Sequence, residues 1–466
     1  MAAQKAAVSR LRAASTSQRA DKSSPASTKN CMERLPSEIL LQILSYLDVS
    51  TLFSVSHVNK LFYRLANDNA LWKKIYSEKL AKFKAEKPGS TDALLFTMTL
   101  AETQDGDVSQ WKWHYFKTVA ACDMNKWRRR LGHISRHTGL PSQTDVVLRK
   151  LNVSWELTVT DKLGREITLE LSWPKFFETS VTLCWYGEGS LPDYRRISTL
   201  QLHGVRRIAL NCPGLKTPGW RSLVAEVDVQ TLGRSAQVIG EDRVVQLMLL
   251  QSGVVIGVWK DQCSVAFIML ALHLHRLVER SVDGSRVCPY AAPAVKPPFD
   301  DVDPEHGLHG YRLHFALHNT VCELVSGSFS QLFCRRTQIS DGLIPLTAIS
   351  RSDLSQHTPL SANVTLPWRS EALQGAVENC CFMSLTLLDE FRSPFKCVTS
   401  PVSVETEQTP VAYDYDGESR RIRYQDPDCQ VKMELVWLRE QKQFMLVSLV
   451  VFVSVCCVNE HFGTDY

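Results

Sequence analysis

Leu35-Pro36-Ser37-Glu38-Ile39-Leu40-Leu41-Gln42-Ile43-Leu44-Ser45-Tyr46-Leu47 decides the fold of the N-terminal part of this chain. Proline suits a helix entrance because its missing N–H would go unpaired there anyway. Beyond it, Ile39, Leu40, Ile43, Leu44 and Leu47 recur at the steps of a helical apolar stripe. Asp48 to Ser50 interrupt the run, and either Asp48 or Ser50 is a suitable cap for a second helix bearing Leu52, Val55 and Val58. The pattern continues through Leu61, Phe62 and Leu65. Asp68 or Asn69 then introduces a segment with Leu71, Trp72 and Ile75. So short a unit cannot bury all of these groups within itself, so part of the stripe is expected to serve a partner.

The order LP-x-E-I-L-x-x-I-L-x-x-L, then Leu-Val-x-x-Val, then an aromatic, then Leu71-Trp72, resembles the F-box over residues 35 to about 79. Two departures from the family pattern are visible. Asn59 stands where a small or sulfur-containing residue is frequent, and Phe62 where a Trp is. The resemblance implies a three-helix module that docks on the Skp-family adaptor of SCF ubiquitin ligases. By position, the implied adaptor-binding residues are Leu35, Pro36, Ile39, Leu40, Ile43, Leu47, Leu52 and Val55, with Leu52, Val55 and Val58 divided between docking and internal packing.

The chain has 466 residues, enough for two or three domains. Its composition, 44% hydrophobic and 22% charged, is that of an ordinary globular protein. A net charge of +4 is too small at this length to argue for nucleic acid. The 14 cysteines show no CxxC spacing, and no secretory signal precedes them. Free thiols in a reducing compartment are therefore expected, the cytoplasm first and the nucleus second. In such a compartment the sequons at Asn152 and Asn363 carry no meaning. Residues 1–30, rich in Ala, Ser, Lys and Arg with Asp21 as the only acid, read as a disordered basic tail. A transit peptide is the alternative, at odds with an F-box that works in the cytosol.

Residues 31–80 form the expected F-box and 81–150 a helical linker. The Lys-rich run from Glu78 to Lys87 extends the last helix toward Pro88-Gly89. A further helix is expected from about Ser109 to Ile134, bearing Trp111, Trp113, Tyr115, Phe116 and Trp127 and ending in Arg128-Arg129-Arg130. Aromatics beside arginines are compatible with a nucleic-acid platform. A packed helix with a solvated basic end accounts for the spacing better, and such a helix would brace the F-box against the larger C-terminal domain.

From residue 151 onward the period changes to two. Val153, Trp155, Leu157 and Val159 alternate with polar neighbours, as do Ile167, Leu169 and Leu171 after Asp161-Lys162-Leu163-Gly164, a hairpin signal. More strands are expected at Val181 to Trp185, Ser198 to Leu202, Leu223 to Val229, Val254 to Trp259, Val265 to Leu274, Phe382 to Leu388 and Val431 to Trp437. Tyr311, Leu313, Phe315 and Leu317 alternate with Arg312, His314 and His318, which predicts a strand with one wet face. The Pro-rich stretch from Cys288 to Pro304 reads as a loop or boundary. Phe444 to Val458 is apolar but too short for a membrane span, and its β-branched content favours the second strand of a buried hairpin over a tail anchor. The expected fold is α+β: a three-helix F-box, a helical linker, and a large, mostly antiparallel, sandwich- or barrel-like β-rich domain over residues 151–466.

No constellation argues for catalysis. His306, His309, His314 and His318, with His273 and His275 upstream, suggest zinc, yet no thiolate pair or HExxH helix completes a site. Accidental Cys–His pairs are unavoidable with so many of each, and the glycines form no phosphate loop. Neither metal nor cofactor is expected. Blocks farther along the chain, including Gly257-Val258-Trp259-Lys260, His273 to Ser281, Glu305 to Tyr311, Glu434-Leu435-Val436-Trp437 and Phe462 to Tyr466, are also similar to a member of the same family. The resemblance then implies a non-catalytic substrate receptor. Its partners would be the Skp-family adaptor, the cullin and RING subunits behind it, and a protein substrate that the sequence does not name. Neither nucleic acid nor a membrane is among the expected partners. The competing reading is an F-box scaffold that acts outside a cullin ligase.

Overall fold

The computed structural model describes residues 35–86, 110–116, 118–119, 132–150, 153–186, 191–208, 210, 212, 219–232, 236–251, 253–262, 264–275, 310–370, 373–406, 415 and 418–463. The tail 1–30, the Pro-rich stretch, His306 and His309 lie outside the described residues. Four N-terminal helices, α1 (Ser37–Leu44), α2 (Val49–Val55), α3 (Lys60–Ala66) and α4 (Asn69–Glu86), precede a large antiparallel β-rich domain. The helix expected from Ser109 is present at residues 110–116 and 118–119. It does not reach Ile134, which forms an isolated antiparallel bridge with Pro141. Gly132, at φ +78°, has already left the helical basin.

The first β unit is a pair of sheets. One has the order β2 (Glu166–Glu170), β1 (Val153–Asp161), β5 (Ile197–Arg207), β6 (Gly219–Asp228). The other runs β3 (Trp173–Phe176), β4 (Ser180–Tyr186), β10 (Val265–His273), β9 (Val254–Trp259), β8 (Val245–Gln251), β7 (Gln237–Ile239). Val153, Trp155, Leu157 and Val159 face Val181, Leu183, Trp185, Ile256, Ile268 and Leu270 in one core. Leu140 and Leu148, N-terminal to the boundary drawn at residue 150, are buried in the same core. Strand β3 had no clear signal because it contains Pro174. It lies at a sheet edge, where a missing N–H is tolerated.

The second unit is a nearly closed, barrel-like sheet. Its order is β12 (Glu323–Leu332), β11 (Tyr311–His318), β17 (Cys380–Leu388), β18 (Pro394–Thr406), β19 (Glu418–Gln425), β20 (Cys429–Leu438), β21 (Gln443–Ser454), β13 (Leu343–Ile349), with β14 (Thr358–Pro359) also pairing β21. The expected hairpin of Val431 to Trp437 with the apolar C-terminal run is β20–β21. After it the chain turns into a helix, Val455–Phe462. No helix among the described residues is long and apolar enough to cross a membrane. A small hairpin, β15 (Thr365–Arg369) and β16 (Gln374–Glu378), covers the far face of the six-stranded sheet. There Trp368 stacks 5.8 Å from Phe267.

One expectation is overturned where the two units meet. Strand β11 has no wet face: His314 and His318 are buried, at 3% and 0% exposure. The odd positions of β11 lie in the barrel core, while His314 and His318 meet the first unit across a polar seam. His318 stacks 3.9 Å from Phe177 and lies 3.1 Å from Ser180 Oγ. Thr179 and Ser384 hydroxyls are 2.8 Å apart, and His273 Nε2 is 2.8 Å from Thr386 Oγ1. Polar residues in alternation read as solvated, but here each finds its partner on another strand instead of in water. At the same seam Gly253, at φ +80°, leaves no room for a Cβ, which would strike the carbonyl oxygen of Ala271 and crowd that of Thr399.

Burial pushes the His318 imidazole down to about 3 from its ordinary 6.5. As pH falls the unfolded chain therefore takes up this proton first. Stability is whole above about pH 6.5 and declines as the pH falls toward the folded value. Burial moves His275 and His314 in the same direction. Urea denaturation should show roughly 2 kcal/mol lost through His318 between about pH 7 and pH 5. His318→Gln should flatten that slope, and a slope unchanged in the variant would contradict the assignment. Gly253→Ala should cost about 1–3 kcal/mol through overpacking and backbone strain, read as a lower denaturation midpoint with an unchanged m-value.

Candidate functional site

The apolar stripe of the N-terminal helices is divided between an interior and a surface. Pro36 occupies the N-cap of α1 (φ −54°, ψ 145°), and its carbonyl accepts the first helical bond from Leu40 N–H at 3.1 Å. Asp48 caps α2, accepting from Thr51 N–H at 3.3 Å and from the Ser50 hydroxyl at 2.7 Å. Hydrogen bonds from Thr51 and Ser50 hold its carboxyl below the usual range. Asp68 caps α4 through the N–H groups of Ala70 and Leu71. Asn59, the departure from the family pattern, is the N-cap of α3 and accepts from Phe62 N–H at 2.9 Å. Its signal was available in the sequence, since Asn is among the best capping residues.

Leu40, Leu44, Leu52, Leu65, Leu71 and Trp72 form the interior. Trp72 Nε1–H donates to the Ala66 carbonyl at 2.8 Å, and its ring centroid lies 5.5 Å from those of Tyr115 and Phe116. Lys112 projects its ammonium 5.5 Å from the Trp72 ring centroid and donates to Asn67 Oδ1 at 2.6 Å, while burial pulls its pKa down. Asn69 Oδ1 accepts from Trp111 N–H at 3.1 Å. Ile208 is buried in the same cluster, Leu210 packs on it, and Cys212 Sγ donates to the Ser50 carbonyl at 3.5 Å. The helix at residues 110–116 and the chain just after β5 thus both pack against the N-terminal helices.

The other side of α1 is apolar and open. Leu35, Ile39 and Ile43 are 38%, 45% and 41% exposed, and Pro36 is exposed beside them. Steps of four residues place these three side chains on one stripe, which Tyr46, 79% exposed, extends by a further three. Val58 and Tyr63 are also exposed, and Leu47 and Val55 are half-buried. Two expected docking residues do not lie on this surface. Leu40 and Leu52 are 1% and 0% exposed because they fill the space between α1, α2 and the Trp72 ring. Tyr46 was missed, although its helical step from Ile43 placed it on the stripe.

The described histidines of the predicted cluster each have a separate polar partner: His314 meets Ser328, His318 Ser180, His273 Thr386, and His275 the Thr138 carbonyl. Among the described residues no group of three metal-ligating side chains comes together. Burial raises the Cys184, Cys380, Cys381 and Cys429 thiols, Cys380 and Cys429 up to about 12, so these are poor nucleophiles.

An F-box-like family model matches residues 32–78. F-box only protein 15 of Macaca fascicularis is 36% identical over 93% of this chain and all of its own length. The human protein of that name is 36% identical over 93% of this chain and 86% of its own. The mouse protein is 31% identical over 92% of this chain and its full length. Among solved structures, a protein of unknown function from the DUF3598 family of Nostoc punctiforme aligns with 67% of this chain and 99% of its own. Its 9% identity and TM-score of 0.13 carry no argument. With relatives this similar across nearly its whole length, and with an F-box at its N-terminus, the chain belongs to the F-box only protein 15 family.

Proposed function

We propose that this chain is the substrate-recognition subunit of an SCF-type ubiquitin ligase, active in the cytoplasm first and the nucleus second. Its docking face comprises Leu35, Pro36, Ile39, Ile43 and Tyr46, with Leu47 and Val55 at the margin. The observation that carries the reading is the row of large apolar side chains left exposed on α1 and at its two ends while their neighbours Leu40 and Leu44 are buried. An amphipathic helix with a second apolar stripe suits helix-to-groove docking on a protein adaptor. The chain itself does no chemistry in this reading. A lysine of the captured protein attacks a ubiquitin thioester held by the cullin–RING part of the complex. The receptor contributes proximity and orientation, which raise the effective concentration of that lysine. The β-rich domain selects the target, and the helix at residues 110–116, wedged against Trp72, sets its position relative to the adaptor.

Co-expression with a Skp-family adaptor, a cullin and a RING subunit tests the reading. Ile39→Asp combined with Ile43→Asp should lower adaptor affinity at least about a hundredfold, because two carboxylates would be desolvated against an apolar surface. The melting temperature should stay unchanged, since both positions are exposed. Leu40→Ala should instead lower stability by about 2–5 kcal/mol through the cavity it leaves. Recovery of the adaptor without cullin would replace the ligase reading with that of a scaffold, and undiminished adaptor binding by the double variant would remove both.

A further inference from the structure

A cleft of about 440 Å³ opens on the barrel between the β16–β17 turn, the start of β19 and the β20–β21 hairpin. Arg420 forms its wall. The guanidinium donates to Asn379 Oδ1 at 2.5 Å and lies 5.2 Å from the Phe444 ring centroid. The Phe444 ring in turn meets Trp437 edge to face at 4.7 Å. Asn379 is itself fixed in the left-handed region (φ +56°) by backbone hydrogen bonds to Val364 and from Val404. The guanidinium is therefore held in one place before any ligand arrives. Its Nε is buried and makes no hydrogen bond within the protein. Among the described residues no carboxylate lies within ion-pair distance of Arg420; Glu434, on the adjacent strand β20 and paired in register with Arg421, binds Arg351 and Arg421 instead. A guanidinium with donors to spare, stacked on an aromatic ring, is suited to oxyanion recognition. Arg439, exposed at the cleft mouth, adds a second positive charge.

We infer that this cleft binds a carboxylate-bearing segment of the captured protein, an Asp or Glu side chain entering against Arg420 and its neighbour lying along Trp437. The inference rests on the receptor reading and names the site that reading requires. Glu378 and Glu418 also line the cleft. They disfavour an unbroken acidic run and favour a segment in which a basic residue stands beside the carboxylate. Preorganisation matters here because the ordering cost of a flexible arginine has already been met in folding.

An array of short immobilised peptides, varied in charge order and probed with the full chain bound to its adaptor, tests this. Bound peptides should contain an Asp or Glu, and replacing it with Asn or Gln should weaken binding by at least about tenfold, as for loss of a charged hydrogen bond. Arg420→Lys, which keeps the charge but removes Nε, should weaken the same peptides, as should Arg439→Gln. If Arg420→Lys lowers the melting temperature, the exposed Arg439→Gln decides. The inference fails if no peptide binds, or if binding ignores the carboxylate or the Arg439 change. Adaptor co-purification should be untouched in both variants, and its absence in the unaltered chain would sink the receptor reading instead.

Discussion

The Trp72 side chain is the constraint that sets the N-terminal arrangement. One interior is available to helices this short, and the indole fills it from α4 while its N–H satisfies the Ala66 carbonyl. Leu40, Leu44 and Leu52 close on it from α1 and α2, and Tyr115 and Phe116 from the later helix. Burying a large aromatic dominates the energetics of so small a unit. Once that interior is full, Leu35, Ile39, Ile43 and Tyr46 have no place inside. The surface they form is a consequence of the packing. The Lys112 ammonium beside Trp72 and its bond to Asn67 tie the later helix to the same centre, and Ile208, just after β5, is buried there too, so the exposed apolar stripe and the β-rich domain share one support.

The polar seam plays the corresponding part within the β-rich domain. Strand β17 is buried along both faces, one lining the barrel core and the other meeting the first unit. Ser384, Thr386 and His318 give that second face specific partners, which fixes the register of the two units where an all-apolar contact would permit sliding. The Arg420 cleft lies on the barrel, beyond the seam from the helices.

Much of this was legible from periodicity. The helical stripe at Leu35 to Leu47, the β1–β2 hairpin and the β20–β21 hairpin all announce themselves through spacing and turn residues. What periodicity misjudged was the destination of polar residues. His314 and His318 alternate with apolar neighbours as solvated residues do, and only the presence of a second unit makes their face an interior. Strand β19, Glu418–Gln425, is so polar in sequence that nothing marks it. It is held in place by full-length pairing with β20. Within the candidate site, position in a motif predicted that Leu40 and Leu52 would dock, but the helix phase turns both inward onto Trp72. Tyr46, in the turn that follows α1, is left outside. The cap at Asn59 was readable in principle and was obscured by comparison with a family pattern.

Hydrogen exchange of the full chain, with and without a Skp-family adaptor, reports directly on this partition of the stripe. Protection should rise across Leu35 to Leu47 and around Val55 to Val58, while the β11 and β17 amides at the seam should stay as they were. Unchanged exchange in α1 at saturating adaptor, with protection gained in the β-rich domain instead, would contradict it.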